Sequence, residues 1–184
     1  MLLASDGSTT KLLEALLGEE LKVAVHEIRS ATGKDVSEAV CQALQLAPDT
    51  PVLVRRSALV TSAGLEVSRN HVVARGPFDG DVGRVLTGTD PIGRTMNGSR
   101  SRHSRVVLET GWSCWETDDD VLRCAFKAYV LAEDDRPTIH VVERFNPSVV
   151  PATWRAVKVP VQAADSRSRT RSARMTRAQM RGTR

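Results

Sequence analysis

Three charged residues of this sequence lie in stretches that are otherwise rich in apolar side chains. They are Arg55, Arg69 and Glu143. A guanidinium keeps its charge inside a protein, so an arginine held among apolar neighbours needs an anion or water as its partner. A carboxyl group in such surroundings acquires a raised pKa, which lets it exchange a proton near neutrality. Together these residue types predict a pocket that binds an organic anion and holds one proton-transferring group.

Each of the three also has a simpler, structural interpretation. Arginines near strand ends usually extend to solvent, and the pair Arg55–Arg56 guarantees that one of them faces each side of a strand. For Glu143 the alternative is a buried ion pair with an arginine that supports only the fold. The pattern by itself leaves both interpretations open.

The two arginines are placed by the segment from Thr50 to Ala74, which we predict to be two strands joined by a turn at residues 62–64. Side chains alternate between the two faces of a strand. The residues that share a face with Arg55 are Leu53, Ser57 and Leu59, and those that share one with Arg69 are Leu65, Val67, His71 and Val73. We therefore expect both arginines to point into one pocket, with His71 on the same side as a core histidine.

Short helices and four further strands complete the predicted fold. Ser8 is a hydroxyl N-cap for a helix that ends at Gly18, and a second short helix is predicted within 36–46. The further strands are predicted at 20–29, 101–109, 121–133 and 138–145, and short flap helices at 82–86 and 94–96. Successive strands with few long helices indicate an α+β fold: a single antiparallel sheet of about six strands, with helices and flap helices on one face.

The positive charge of the chain is concentrated at its end. The 184 residues carry a net charge of +4, but residues 165–184 hold seven arginines and one aspartate, a net +6 that leaves −2 for the rest. We predict one folded domain over residues 1–160 and a basic, disordered tail over residues 161–184. A slightly acidic body argues against nucleic-acid binding, except weakly through the tail.

The cysteines and histidines argue for a reducing compartment and against a metal site. The three cysteines lack any CxxC spacing, which favours reduced thiols in the cytoplasm. The four histidines show no ligand-type spacing with cysteines or carboxylates. No apolar run approaches the length that crosses a bilayer. We expect a cytoplasmic protein that uses no metal, cofactor or membrane.

Four short stretches carry a family resemblance. They are LLASDGSTTKLLEAL, PVLVRRSALV with the following VSRNHVV, TGTDPIGRTM, and VVERFNP. In this order and spacing, over most of residues 1–151, they resemble the chorismate lyase family, which converts chorismate to 4-hydroxybenzoate and pyruvate without metal or cofactor. The effector-binding domain of GntR-type regulators shares that fold, and the stretch LQLAPDTPVLVRRS resembles it as well.

The resemblance implies roles for five residues. In the lyase family a strand arginine binds the substrate carboxylate and matches Arg55, a second pocket arginine matches Arg69, and a glutamate at the hydroxyl end of the ring matches Glu143. Two backbone N–H groups that hold the ligand match Ile92 and Thr9, although the family more often has an apolar residue at the latter position. The implied catalytic residues are Arg55 and Glu143, in a dry cavity sized for a benzoate.

The two families imply different functions. On the lyase hypothesis Arg55 anchors the ring carboxylate of chorismate, Arg69 contacts the enolpyruvyl carboxylate, and Glu143 assists proton removal or departure of pyruvate. The alternative is a stand-alone effector-sensing domain of the GntR-regulator type without catalysis. Such regulators carry an N-terminal winged-helix domain, and nothing resembling one precedes the first predicted helix. We therefore expect the lyase.

Overall fold

The first helix is defined by its two ends. The computed structural model describes residues 2–5, 7–78, 83, 86, 88, 92 and 103–152. In it, α1 spans Thr9–Leu17. Ser8 Oγ accepts a hydrogen bond from the backbone N–H of Lys11 at 3.5 Å, which satisfies a donor that has no partner within the helix. Gly18 ends the helix in the left-handed region at φ 72°, a conformation that glycine adopts without strain.

The second helix, α2, spans Glu38–Leu44 and follows a 3-10 turn at Gly33–Asp35. Ser37 caps α2, since Ser37 Oγ accepts a hydrogen bond from the backbone N–H of Val40 at 3.4 Å. A Cβ at Gly33 would lie 2.2 Å from the backbone oxygen of Ala47. Only glycine fits this close approach between the segment that precedes α2 and the segment that follows it.

Six strands form one antiparallel sheet in the order β1-β2-β3-β6-β5-β4. Their bounds are Lys22–Thr32 (β1), Pro51–Val60 (β2), Glu66–Arg75 (β3), His103–Glu116 (β4), Val121–Glu133 (β5) and Arg136–Phe145 (β6). Asp134 and Asp135 join β5 to β6 with φ of 48° and 65°, the backbone that a two-residue hairpin turn requires. The α+β class and the single antiparallel sheet are confirmed.

The register of the strands assigns each side chain to one of two faces. Directly paired residues point to the same side of a sheet. The pairs Arg55–Val72 and Asn70–Glu143 therefore place these four residues on one side, which we call the pocket face. α1 packs here, because its buried Leu13 lies in one cluster with apolar residues of β2, β3 and β6.

The other side of the sheet, which we call the α2 face, is covered by the second helix. Val40 and Leu44 of α2 form a cluster with Val52, Val54, Val73 and Val130. The sequence placed the helices on one face, whereas the structure divides them between two. The reason is that β2 buries residues on both of its sides, so each side needs a cover.

Some of the predicted elements fall outside the described residues. Gly83, Leu86 and Ile92 have helical backbone, and the latter two pack against the core of the pocket face. The other residues of the predicted flap helices, and the predicted tail at 161–184, lie outside the described ranges. Within those ranges, no helix is long and apolar enough to span a membrane.

Candidate ligand-binding site

Arg55 and Glu143 lie on the same face of the sheet, and both are buried. Arg55 is 1% exposed and Glu143 is 6% exposed. Strand β3 lies between them: Arg55 pairs with Val72, and Glu143 pairs with Asn70, two residues away along β3. Residues two apart on one strand share a face. The structure therefore brings the guanidinium and the carboxyl group to one side of the sheet.

The first turn of α1 and Ile92 close a cavity over Arg55 and Glu143. Buried Thr9 and Thr10 line it from the helix. The first N–H groups of a helix have no acceptor within the helix, so this turn is suited to bind an anion. The other lining residues are Val23, Ser57, Leu59, Asn70, Arg105, Tyr129 and Val141. Four of the five positions implied by the lyase resemblance, Thr9, Arg55, Ile92 and Glu143, thus line one cavity.

Glu143 is held by a tyrosine and has a perturbed pKa. Tyr129 Oη donates a hydrogen bond to Glu143 Oε1 at 3.1 Å, whereas Glu143 Oε2 has no hydrogen-bond partner among the described residues. Burial raises the pKa of Glu143, while the Thr9 hydroxyl, Arg105, Lys127 and Tyr129 oppose that rise without cancelling it. A buried carboxyl group with one oxygen unsatisfied is suited to bind a hydroxyl or N–H group of a ligand.

Two further cations belong to this site, and the sequence analysis did not identify them. The guanidinium carbon of Arg105, on β4, lies 4.5 Å from the centre of the Tyr129 ring. The ammonium group of fully buried Lys127, on β5, lies 5.5 Å from the same ring. Both cations act on the pKa of Glu143. With Arg55, they give the pocket an excess of positive charge that favours an anionic ligand.

The same two cations hold the beginning of the chain over the pocket. Arg105 Nη1 donates a hydrogen bond to the backbone oxygen of Gly7, and Lys127 Nζ donates one to the backbone oxygen of Ser5. A carbonyl oxygen is a weaker partner for a guanidinium than a carboxylate is. An anionic group placed beside Arg105 would therefore be a stronger partner for it than the Gly7 oxygen.

The cavity is smaller than the benzoate-sized chamber that the sequence predicted. Its volume is about 30 Å³, which is room for roughly two water molecules, at about 10–15 Å³ each. An aromatic acid occupies several times that space. Binding such a ligand therefore requires the cavity to widen. Among the described residues, no group of three or more His, Cys, Asp or Glu is arranged to hold a metal ion.

Arg69 lies on the α2 face and not in the pocket, which corrects the expectation from the sequence. Arg69 Nε forms an ion pair with Glu66 Oε2 at 2.7 Å, and Arg69 Nη1 donates to the backbone oxygen of Glu116 at 2.6 Å. Its guanidinium carbon lies 4.2 Å from the centre of the Trp115 ring. Arg69 is therefore bound to structural partners, and Arg105 is the second arginine that lines the pocket within the described part of the chain.

A β-bulge explains why alternation gave the wrong face. Leu59 pairs with Ser68, but the next residue, Val60, pairs with Glu66. Val67 is the extra residue, and it packs with Leu59 in the core of the pocket face. Counting every second residue from Val67 therefore places Arg69 on the wrong face. His71, which pairs with Arg56, is displaced from the pocket for the same reason.

Part of what the sequence analysis missed has a signal in the sequence. Lys127 is the only charged residue of the stretch 124–132, and Tyr129 is the only tyrosine of the chain. A lone charge in an apolar run needs a partner, by the argument already applied to Arg55. Arg105 gives no such signal, because the stretch 101–105 around it is polar.

Known structures share the fold of this protein, whereas no known protein-family model matches its sequence and no curated protein is significantly similar. PhnF from Mycobacterium smegmatis aligns with a TM-score of 0.57 at 13% identity, over 79% of this chain and 66% of PhnF. The ligand-binding domain of a protein classed as a GntR-family transcriptional regulator from Bordetella bronchiseptica aligns with a TM-score of 0.52 at 13% identity, over 68% of this chain and 85% of that domain.

A third similar structure is the C-terminal domain of the histidine utilization repressor from Pseudomonas syringae. It aligns with a TM-score of 0.52 at 11% identity, over 70% of this chain and 93% of that domain. Identities this low establish a shared fold and nothing more specific. The six-stranded sheet with α1 on the pocket face is thus a fold that is also found in regulator domains.

Proposed function

We propose that this protein binds a small organic anion between α1 and the sheet, as a ligand-sensing domain of the GntR-effector type. The observation that carries the proposal is that buried Arg55 and Glu143 line one cavity together with Arg105. A guanidinium in a site closed from solvent favours an anionic partner. The similarity of the fold to a GntR-family ligand-binding domain supports the same function.

The residues that line the pocket support one chemical class of ligand. A carboxylate suits Arg55, because a guanidinium can bind both of its oxygens at once. A hydroxyl group of the ligand suits Glu143 Oε2, which also lines the cavity and lacks a hydrogen-bond partner among the described residues. Val23, Leu59 and Val141 give the cavity apolar walls. The class that combines these features is a hydroxylated aromatic or cyclic carboxylic acid.

Chorismate lyase is the second candidate function, and one observation favours it. Thr9, Arg55, Ile92 and Glu143, which the lyase resemblance implies from separate parts of the chain, line a single cavity. Arg69 does not join them, and among the described residues Arg105 is the arginine placed to contact a second substrate carboxylate. Catalysis of this kind requires that the pocket orient a dianion, exclude water and move one proton.

The chemistry of that candidate is an elimination with no net redox change. The proton on C4 of the chorismate ring leaves, the bond between C3 and the ether oxygen breaks, and enolpyruvate departs and takes up a proton to become pyruvate. Arg55 would hold the ring carboxylate. Glu143, whose pKa is raised by burial, would assist proton transfer at the hydroxyl end, a contribution worth on the order of 10²–10⁴ in rate.

One experiment tests both functions. The purified full-length protein is incubated with chorismate, 4-hydroxybenzoate formation is followed by absorbance, and binding of chorismate and of 4-hydroxybenzoate is measured by calorimetry. Binding without turnover supports the sensing domain, and turnover that Glu143→Gln abolishes supports the lyase. If neither acid binds, and a panel of other hydroxylated carboxylic acids does not bind either, both proposals are wrong.

A further inference from the structure

A second cavity lies on the α2 face, on the opposite side of the sheet from the pocket. Its volume is about 360 Å³, which is within the range of small-molecule sites. Ser37 and Val40 form its wall on the helix side, and Val54, Val142 and Phe126 form the apolar part of its floor. Among the described residues, the two cavities share no lining residue.

Two histidines provide polar groups at the floor of this cavity. His71 on β3 pairs with Val142 on β6, two residues along from His140, so both imidazoles lie on the α2 face. His140 is 6% exposed, and its Nδ1 has no hydrogen-bond partner among the described residues. A buried polar atom without a partner destabilises the folded protein. A bound ligand that supplies the partner would relieve that destabilisation.

The charges around the imidazoles favour an anion. Burial lowers the pKa of His71. The positive charges of Arg56, Arg144 and Arg29 lower it further, whereas the negative charge of Glu27 raises it. Burial also lowers the pKa of His140, with a further contribution from His71. The field at His71 is therefore positive. An anion would pair with these charges and favour protonation of the imidazoles.

Two carboxylates limit how much negative charge the ligand can carry. Asp35, in the turn before α2, and Glu109, on β4, line the same cavity and are exposed. Asp35 Oδ2 accepts two hydrogen bonds from Thr32, one from the hydroxyl Oγ1 at 2.7 Å and one from the backbone N–H of Thr32 at 2.9 Å. Like charges repel, so a dianion is disfavoured between these groups.

We infer that the α2 face carries a second ligand site, for a small organic monoanion whose carboxylate binds at His71 and His140 while its apolar body contacts Val54, Val142 and Phe126. The site stands apart from the proposed function of the pocket, because the sheet separates them. Binding takes up protons on the imidazoles. The affinity therefore rises as the pH falls toward the lowered pKa values of the free imidazoles, by up to about tenfold per pH unit for each proton taken up.

Benzoate is the probe that tests this site, with benzamide as its uncharged counterpart and acetate as an anion without an apolar body. The histidine ring signals of the full-length protein are followed by NMR during addition of each compound to concentrations on the order of 10 mM. We expect benzoate to shift the signals of His71 and His140 and to raise both of their apparent pKa values. Benzamide and acetate should each shift them several-fold less.

His26 is the matched control for this experiment. It lies outside both cavities, is 49% exposed and pairs with Glu66 at 3.3 Å, so its signal should stay constant and His26→Asn should leave the response intact. His71→Asn and His140→Asn should each abolish the response at the residue that remains. A direct nuclear Overhauser contact between the benzoate ring and the Val142 methyl groups provides a readout that does not depend on any variant folding.

The response is repeated with Arg55→Met, which removes the cation from the pocket on the other face. The second site requires that the His71 and His140 shifts persist in this variant. If they disappear with Arg55→Met, if benzamide acts as strongly as benzoate, or if neither imidazole responds, the second site does not exist as described. Failure of these shifts leaves 4-hydroxybenzoate binding at Arg55 untouched, so the two proposals fail separately.

Discussion

Two arginines on one strand pair have opposite parts in this molecule. Arg55 is 1% exposed and faces the cavity, while Arg69 lies on the other side of the sheet over Trp115. The difference follows from the partner strand, since Arg55 pairs with Val72 and Arg69 with Ala58. A buried guanidinium that lines the proposed ligand site should dominate binding, and a guanidinium outside that site should affect stability alone.

The first prediction compares the same substitution at these two positions. Arg55→Met should weaken binding of 4-hydroxybenzoate by about 30-fold or more, because removing one partner of a buried charge pair costs about 2–5 kcal/mol. Arg69→Met should change that affinity by less than about twofold, as distant sites act independently. It should lower the free energy of unfolding by about 0.5–1 kcal/mol through loss of the contact with Trp115. Calorimetry measures the affinity and urea unfolding measures the free energy of unfolding. Equal losses of affinity in the two variants would contradict the placement of Arg55 in the ligand site and of Arg69 outside it.

The second prediction concerns the ionisation of Glu143. Burial raises the pKa of this carboxyl group in the folded protein, so between about pH 4.5 and that raised pKa the folded state binds more protons than the unfolded state. The contribution of Glu143 to stability is therefore complete at low pH and is lost as the pH rises through the folded pKa. Glu143→Gln, which cannot ionise, should become more stable relative to the parent protein as the pH increases.

Urea unfolding of the parent protein and of Glu143→Gln from about pH 4.5 to about pH 7.5 measures that difference. Tyr129→Phe serves as the control, because it removes the hydrogen bond to Glu143 Oε1 and leaves the carboxyl group free to ionise. A difference between parent and Glu143→Gln that is constant with pH would show that the Glu143 pKa is not raised by folding.

At the scale of elements, α1 connects local sequence to the pocket. Its N-cap, Ser8, fixes the first turn, and that turn contributes Thr9 and Thr10 to the cavity. α2 has the same kind of cap, Ser37, but packs on the other face. Removing each cap in turn therefore distinguishes a loss of helix stability, expected for both helices, from a loss of ligand binding, expected only for α1.

The third prediction uses this pair of caps. Ser8→Ala and Ser37→Ala should each lower the free energy of unfolding by about 1 kcal/mol, since each leaves a backbone N–H without its acceptor. Ser8→Ala should also weaken binding of 4-hydroxybenzoate, whereas Ser37→Ala should leave it unchanged. Ser8→Asn, which restores a cap without adding a charge near the anion, should recover both properties. Thermal unfolding and calorimetry distinguish these outcomes, and an equal effect of both caps on binding would show that α1 does not position the pocket.

At the scale of the whole molecule, half-buried His71 and buried His140 on the α2 face make folding depend on pH. Burial is the main cause of the lowered pKa of both His71 and His140. In the pH range between the lowered folded values and the unfolded value of about 6.5, the unfolded state binds more protons. Stability therefore rises with pH through this range and is lost as the pH falls below about 6.5, a direction opposite to that of Glu143.

The fourth prediction is that acid destabilises the protein through these two residues. The free energy of unfolding should fall between about pH 7 and about pH 5, and the double variant His71→Asn, His140→Asn should show a flatter profile over that range. His26→Asn is the control for the exchange of histidine for asparagine, because His26 is half-exposed and lies outside the cavity of the α2 face. Urea unfolding at several pH values is the measurement, and a double variant with an unchanged profile would contradict the prediction.

The amino-acid sequence by itself determined the local elements of this protein and two of the residues that meet in the pocket. Ser8 and Gly18 define α1, and the alternation around Arg55 and Glu143 defines which side each occupies, because caps and pleats depend on residues only a few positions apart. The number of strands and the α+β class follow from the same local patterns.

Only the tertiary structure decided the rest, because it depends on pairing between strands that are distant in sequence. The bulge at Val67 moved Arg69 to the opposite face, and the pairing of β4, β5 and β6 brought Arg105 and Lys127 to Glu143. The division of the two helices between the faces, and the cavity over His71 and His140, likewise arise from register. A shift of one residue in register reverses the face of every side chain beyond it, and no local pattern records such a shift.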